Sequence, residues 1–252
     1  GQLGELGVEV RTGTAVDSVE WARRRVEVGM GKEKTSAACA LITLPLGVLQ
    51  APLGSAGAVR FDPPLPKEKA DAMQRLEMGK ALRVVLRFRT RFWEGVSPEP
   101  GGTKTLSDMG FLLTDDEWFP TWWTTMPKRF PMLTGWAPFR CAEKLTGKTP
   151  AFVMQRALET LARLFKISRQ ELNGWLQDGY VHDWQSDPFS RGAYSYGKVG
   201  SDGAQEGLGA PVENTLFFAG EATDTSGHNG TVHGAIASAL RAVGEIRRKV
   251  KG

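Results

Sequence analysis

Cysteine and histidine are scarce in this chain, with two and three respectively in 252 residues. Cys39 and Cys141 lie about a hundred residues apart in apolar or helical contexts, which argues against a disulfide framework and against zinc-type spacing. His182, His228 and His233 do not converge by spacing, so neither a metal centre nor a Ser-His-Asp arrangement is expected. No run approaches the roughly 18 apolar residues of a membrane span, and no charged-then-apolar signal opens the chain. A long basic stripe is missing too. The net charge of +4 is scattered over short clusters such as Arg23-Arg24-Arg25 and Arg247-Arg248-Lys249, which read as solvated surface and not as a nucleic-acid footprint. A Gly-x-Gly-x-x-Gly turn after a strand occurs nowhere. Gly29-Met30-Gly31 comes nearest, but it lacks the third glycine and a helical pattern behind it. The default compartment for such a chain is reducing, and the cytoplasm is the expected location.

What is present suffices for a sizeable core, at 41% hydrophobic and 24% charged residues. The most informative stretch runs from Leu216 to Ile236. Asn214 to Ala219 is a short apolar run bounded by turn formers, the pattern of a strand buried on both faces. Gly220 and Glu221 stand where that strand would end. From Thr231 the periodicity becomes helical, with Val232, Ala235, Ile236, Ala239, Leu240 and Val243 at three- and four-residue steps and basic residues in the last turns. The start of such a helix turns free N–H groups toward the preceding loop, a setting for a phosphate or an electron-rich ring edge. Gly230, Gly234, Ala235 and Ala237 leave room for something flat against the backbone.

This stretch, F-A-G-E followed by a loop and T-V-H-G-A, resembles the last strand and helix of the flavin-containing amine oxidases, which include monoamine and polyamine oxidases and lysine-specific histone demethylases. The resemblance places Glu221 beside the ribityl and phosphate part of FAD, and the backbone of Thr231 and Val232 at the pyrimidine end of the flavin. Gly220, Gly230 and Ala235 complete the expected cofactor-binding set.

Two more blocks carry the resemblance. Gly7 to Arg11, Ala15 to Trp21 and Arg24 to Val28 alternate as three strands of a small meander. Ala38 to Leu44 then runs as a buried strand into Pro45-Leu-Gly-Val-Leu49, similar to the family's I-T-L-P-L-G-V-L segment. The stretch from Asp183 to Tyr196 resembles the family's return to the flavin domain. Tyr194 falls where an aromatic ring stands at the flavin face, and Ala193 falls where monoamine oxidases place the cysteine that bonds covalently to FAD. Thr231 replaces their second tyrosine, so the full aromatic sandwich is not expected.

Between these blocks, a helix is predicted from Lys67 to about Met78, with Ala70, Met73 and Leu76 on one face. After Gly79 a strand from Ala81 to Arg91 puts Leu82, Val84, Leu86 and Phe88 on one side and Arg83, Val85, Arg87 and Arg89 on the other. By resemblance, Arg83 occupies the position of a lysine that holds a water at flavin N5, although an arginine cannot serve there as a neutral base. Seven aromatic residues between Trp118 and Phe139 read as sheet core or as walls of an amine cavity. Ala151 to Phe165 is a helix, Ser168 and Glu171 form a capping box, and Trp175 to Trp184 is a strand.

The expected fold is a mixed α/β chain: the C-terminal part of a split FAD-binding domain plus an inserted mixed-sheet substrate domain. Residues 1–55 and 191–252 are assigned to the flavin domain and 56–190 to the substrate domain. The resemblance implies oxidation of a small-molecule amine to an imine, with hydride passing to flavin N5 and oxygen reduced to hydrogen peroxide. It implies noncovalent FAD, with Arg83 and Tyr194 at the chemistry, while the spacing, charge and hydropathy above point to no metal, no nucleic acid and no membrane. The missing glycine-rich turn implies that upstream sequence is absent, so that pairing with that half, or self-association, is expected. Another flavin oxidoreductase of the same fold, such as an amino-acid oxidase or desaturase, and a non-catalytic interaction module remain open.

Overall fold

The computed structural model describes residues 5–97 and 105–250. It divides into two compact units, one made of residues 1–78 and 188–252, the other of residues 79–187. Contacts therefore divide the chain after residues 78 and 187, where the sequence reading drew its lines at 55 and 190.

The first unit holds a four-stranded sheet in the order β3-β2-β1-β5, built from β1 (Ser18–Ala22), β2 (Arg25–Met30), β3 (Glu33–Ala37) and β5 (Arg60–Asp62). β1 pairs antiparallel with β2 and parallel with β5. Val19 and Val26 anchor it to a core shared with Ile42, Val212, Leu216 and Phe218. The expected strand at Gly7 to Arg11 is absent. That segment is irregular and Val8 and Val10 are exposed, since no neighbour among the described residues pairs with it. The third meander strand is β3 instead, which is exposed at every position and so shows no hydrophobic alternation to read.

A second cluster joins α1 (Leu46–Leu49), α2 (Lys67–Gln74) and α6 (Ala204–Gly209) through Leu46, Ala72, Met73, Leu76, Ala204 and Leu208. α2 ends at Gln74, four residues before the predicted end, because Leu76–Gly79 leaves the helix to form β6, which pairs with β12 (Tyr194–Gly197). A long-range pairing here overrides local helical periodicity.

The second unit is a five-stranded sheet in the order β11-β7-β10-β9-β8, from β7 (Ala81–Phe88), β8 (Phe111–Leu113), β9 (Thr121–Thr124), β10 (Met132–Pro138) and β11 (Leu176–Val181). Its pairings are antiparallel, so the mixture of directions expected of this sheet is found in the first unit. Leu82, Val84, Leu86 and Phe88 are buried and Arg83 and Arg87 exposed, as the alternation requires. Burial of side chains this size stabilises by about 1.5–3 kcal/mol each. They share a core with Val153, Ala157, Leu161 and Phe165 of α4 (Pro150–Phe165), which Thr149 caps by accepting the Phe152 N–H. The capping box of Ser168 and Glu171 opens α5 (Arg169–Trp175). Phe119 and Trp122 lie in the core, Trp118, Trp123 and Trp136 are half-buried, and Phe130 and Phe139 are about half exposed. Both cysteines are free thiols, and no helix among the described residues is long and apolar enough to cross a membrane.

Candidate functional site

The Leu216–Phe218 run is β13, fully buried and paired parallel with β4 (Ala40–Ile42) in the register Leu216 to Ala40. After Ala219 the backbone turns at Gly220, whose φ of 127° and ψ of 163° belong to a region that side chains rarely enter. A single 3₁₀ turn, Glu221–Thr223, follows. The loop beyond it is organised by Asp224, buried at 5% exposure, whose carboxylate accepts the N–H of His228 at 2.8 Å, the N–H of Ser226 and the Ser226 hydroxyl. Burial alone would raise that carboxyl. These donors outweigh it and hold Asp224 below the usual carboxylate range.

Thr231 ends the loop and begins α7 (Val232–Val250), its hydroxyl accepting the Gly234 N–H at 3.1 Å and donating to the His228 carbonyl at 2.7 Å. The cap uses the third N–H of the helix. Those of Val232 and His233 have no intrahelical partner by geometry and point out of the helix start. A Cβ on Gly234 would run into the His228 carbonyl, so glycine is required for the loop to lie this close to the helix.

Glu221 is the hub. Its carboxylate accepts the Gly230 N–H at 2.7 Å, the Ser195 hydroxyl at 2.8 Å and the Ser195 N–H at 3.0 Å. A carboxylate offers about four lone-pair sites, so one remains for a ligand hydroxyl. The clamp draws β12 against the loop, and the half-buried Tyr194 stands so close that a Cβ on Gly230, whose φ is +72°, would come into van der Waals contact with its ring. Arg191, just upstream at φ 56°, donates to the Ser55 hydroxyl, and Gly47 of α1 packs without a Cβ against the same backbone.

Gly220, Glu221, Gly230, Thr231, Val232 and Ala235 are thus gathered on one turn, loop and helix start of the first unit, with Tyr194 on β12 beside them. Arg83 is not among them: it sits in the second unit on β7, exposed, in register with Trp136 of β10. Sequence reasoning missed Ser195, and also Ser238, whose hydroxyl accepts the Gly220 N–H at 2.9 Å. Neither stands in a pattern of its own; only the carboxylate and the positive-φ glycine they serve could have marked them. Among the described residues, no His, Cys, Asp and Glu side chains group as a metal ion requires.

α7 places its small residues inward and its large ones outward. Gly234, Ser238 and Ala242 are buried, whereas Val232, Ile236, Leu240 and Val243 are 73%, 57%, 71% and 44% exposed.

The family model for flavin containing amine oxidoreductases matches residues 2–247. Lysine-specific histone demethylase 1 homolog 3 of Arabidopsis thaliana is 35% identical over 80% of this chain, which covers 12% of that protein. Polyamine oxidase 3 of Oryza sativa subsp. japonica is 31% identical over 97% of this chain, covering 46% of that protein. A cofactor-binding redesign of putrescine oxidase superposes with a TM-score of 0.75 at 19% identity, over 97% of this chain and 51% of that one. Cyclohexylamine oxidase from Brevibacterium oxydans IH-35A superposes with a TM-score of 0.71 at 21% identity, over 94% and 48%. The chain thus spans less than half the length of these curated relatives and about half that of the solved structures, whose fold it shares.

Proposed function

Because the chain belongs to the flavin-containing amine oxidoreductase family, we propose that it is the C-terminal portion of an FAD-dependent amine oxidase. The observation that carries this reading is the Glu221 clamp, which sets an aromatic wall, a free acceptor and a helix N-terminus around one small-residue surface. These residues fit one end of a flavin. The spare lone pair of Glu221 suits a ribityl hydroxyl, and the N–H groups of Val232 and His233, at the positive end of α7, suit the electron-rich pyrimidine edge.

A flavin held by Glu221, Gly230 and the start of α7 would supply the chemistry for two-electron oxidation of an amine to an imine, with oxygen as the final acceptor, reduced to hydrogen peroxide. The protein's part is to bind, orient and keep the site dry. Gly230, Gly234 and Ala235 let a planar group approach the backbone. Tyr194 supplies one aromatic wall for an amine, and Thr231 leaves the opposite wall without a ring. Arg83 supplies a permanent positive charge and no base. Ala193 offers no sulfur at the attachment position, so the flavin is held noncovalently.

The outward stripe of α7 is covered, in this reading, by the half of the flavin domain that carries the dinucleotide-gripping turn, and the chain's share of its relatives' length supports that partner. The longest natural polypeptide containing this chain is the test. It should be isolated yellow, with flavin, and should produce peroxide from an amine under air. A flavin-free preparation that gains no absorbance on adding FAD would overturn the proposal.

A further inference from the structure

A buried lysine and a partly buried arginine not called for by any step above converge behind the Glu221 turn. Lys69, at 3% exposure, projects from α2 into the end of α6. Its ammonium donates to the carbonyls of Gly207 at 3.2 Å, Leu208 at 2.7 Å and Ala210 at 2.7 Å, and lies 3.9 Å from the centre of the Phe218 ring. Arg241 reaches the same place from α7. One guanidinium nitrogen donates to the Gly209 carbonyl at 3.0 Å and pairs with Glu245 at 3.0 Å. The other donates to the Phe218 carbonyl at 2.9 Å and the Thr223 hydroxyl at 3.1 Å. Between them, the two side chains take every carbonyl from Gly207 to Ala210, the groups that the end of a helix leaves unpaired and where its dipole favours positive charge.

A six-residue helix does not need two cations to end it. What they add is a connection. Arg241 grips the chain on both sides of Gly220-Glu221, at Phe218 before and Thr223 after, while Thr223 donates to the Gly220 carbonyl at 3.0 Å and Ser238, on the same helix, holds the Gly220 N–H. Gly209 has no Cβ, and one there would meet the guanidinium at about 3.0 Å, so glycine lets Arg241 lie flat against the α6 end. Lys69 contacts Phe218 through its ring.

We propose that Arg241 and Lys69 are positioning residues for the cofactor site: they set the angle at which the 218–223 segment leaves β13 and thereby aim the Glu221 carboxylate at the ligand. This rests on the flavin reading above. Glu221 touches no part of either cation; the effect passes through Phe218, Gly220 and Thr223.

The test uses the natural full-length polypeptide with Arg241→Lys, Lys69→Met and Thr223→Val, the last removing both the Arg241 contact with the turn and the Thr223 hydrogen bond to the Gly220 carbonyl. Two quantities are read: FAD affinity of the stripped protein by fluorescence titration, and amide hydrogen exchange across 219–231 compared with β13 and α6. Arg241→Lys and Thr223→Val are expected to weaken FAD by about tenfold, the loss of one charge-assisted bond's orientation, and to speed exchange in 219–231 while β13 stays protected. Lys69→Met, if it folds, does the same. Unchanged affinity and exchange in Arg241→Lys and Thr223→Val would overturn the proposal, as would exchange rising equally throughout the first unit, which marks a merely stabilising role. If the wild type itself takes up no FAD, the flavin reading fails with it; wild-type binding with indifferent variants sinks this inference alone.

Discussion

The carboxylate of Glu221 holds the backbone N–H of Gly230 at 2.7 Å across a nine-residue separation, closing the loop that lies between the end of β13 and the start of α7. The same group holds Ser195. Its first task is therefore to build the site, and only its remaining lone pair is open to a ligand. Glu221→Gln turns one acceptor into a donor facing donors. It is expected to destabilise the first unit by about 1.5–3 kcal/mol, the range for hydrogen bonds to charged groups, and to abolish most FAD uptake. Urea titration followed by FAD titration in the full-length polypeptide checks both; an unchanged unfolding midpoint would contradict the clamp.

Asp224 makes the loop acid-sensitive. Its folded-state carboxyl titrates below the ordinary range, so the unfolded chain binds the proton more readily as pH falls. The stability it contributes is complete above the usual carboxylate pKa of about 4 and is lost as pH falls through the depressed folded value. Asp224→Asn should be less stable at neutral pH by about 1–3 kcal/mol and should show a flatter decline in acid. Parallel pH–stability curves for the two proteins would contradict this.

Much of this was legible beforehand where local pattern and burial agree. The alternation through Leu82, Val84, Leu86 and Phe88 marked β7 and its buried face, and Ser168 with Glu171 marked a helix start. F-A-G-E marked a strand end. What escaped reading depends on partners distant in sequence. Leu76 continues a helical stripe but goes into a strand, because β12 offers it a ladder. Lys69 looks like one more polar residue in a helix's first turn, and only the carbonyls of residues 207, 208 and 210 explain its burial. In α7 the period was plain but not the face: small residues recur as regularly as large ones, and the small ones are those that pack inward.

Arg83 belongs to the second unit, on the exposed face of β7, and makes no part of the clamp's hydrogen bonds, so its charge is expected to act on the reaction and not on assembly. In the full-length polypeptide, Arg83→Lys should leave FAD affinity unchanged and alter the rate at which oxygen reoxidises the reduced enzyme. Stopped-flow reoxidation of Arg83→Lys and Arg83→Met decides this, and identical rates in both variants and the wild type would count against a role near the flavin.

Ala193, exposed beside Tyr194, carries no nucleophile, and Cys39 and Cys141 stand outside both cofactor motifs. Acid precipitation of the yellow protein should release all flavin into the supernatant. Colour retained in a washed pellet would show a covalent bond that these residues do not provide.

The most direct test of the account compares flavin uptake by the 252-residue chain alone with uptake by the longest natural polypeptide that contains it. In the proposed site Glu221, Tyr194 and the start of α7 would grip one end of the cofactor, and no glycine-rich turn in this sequence would grip its pyrophosphate. Each 1.4 kcal/mol of lost contact weakens binding about tenfold, so the chain alone should stay colourless when FAD is added and then removed by gel filtration. The longer polypeptide should retain FAD in stoichiometric amount. A short chain that emerges yellow and fully flavinated, or a longer one that emerges colourless, would contradict the placement of the site.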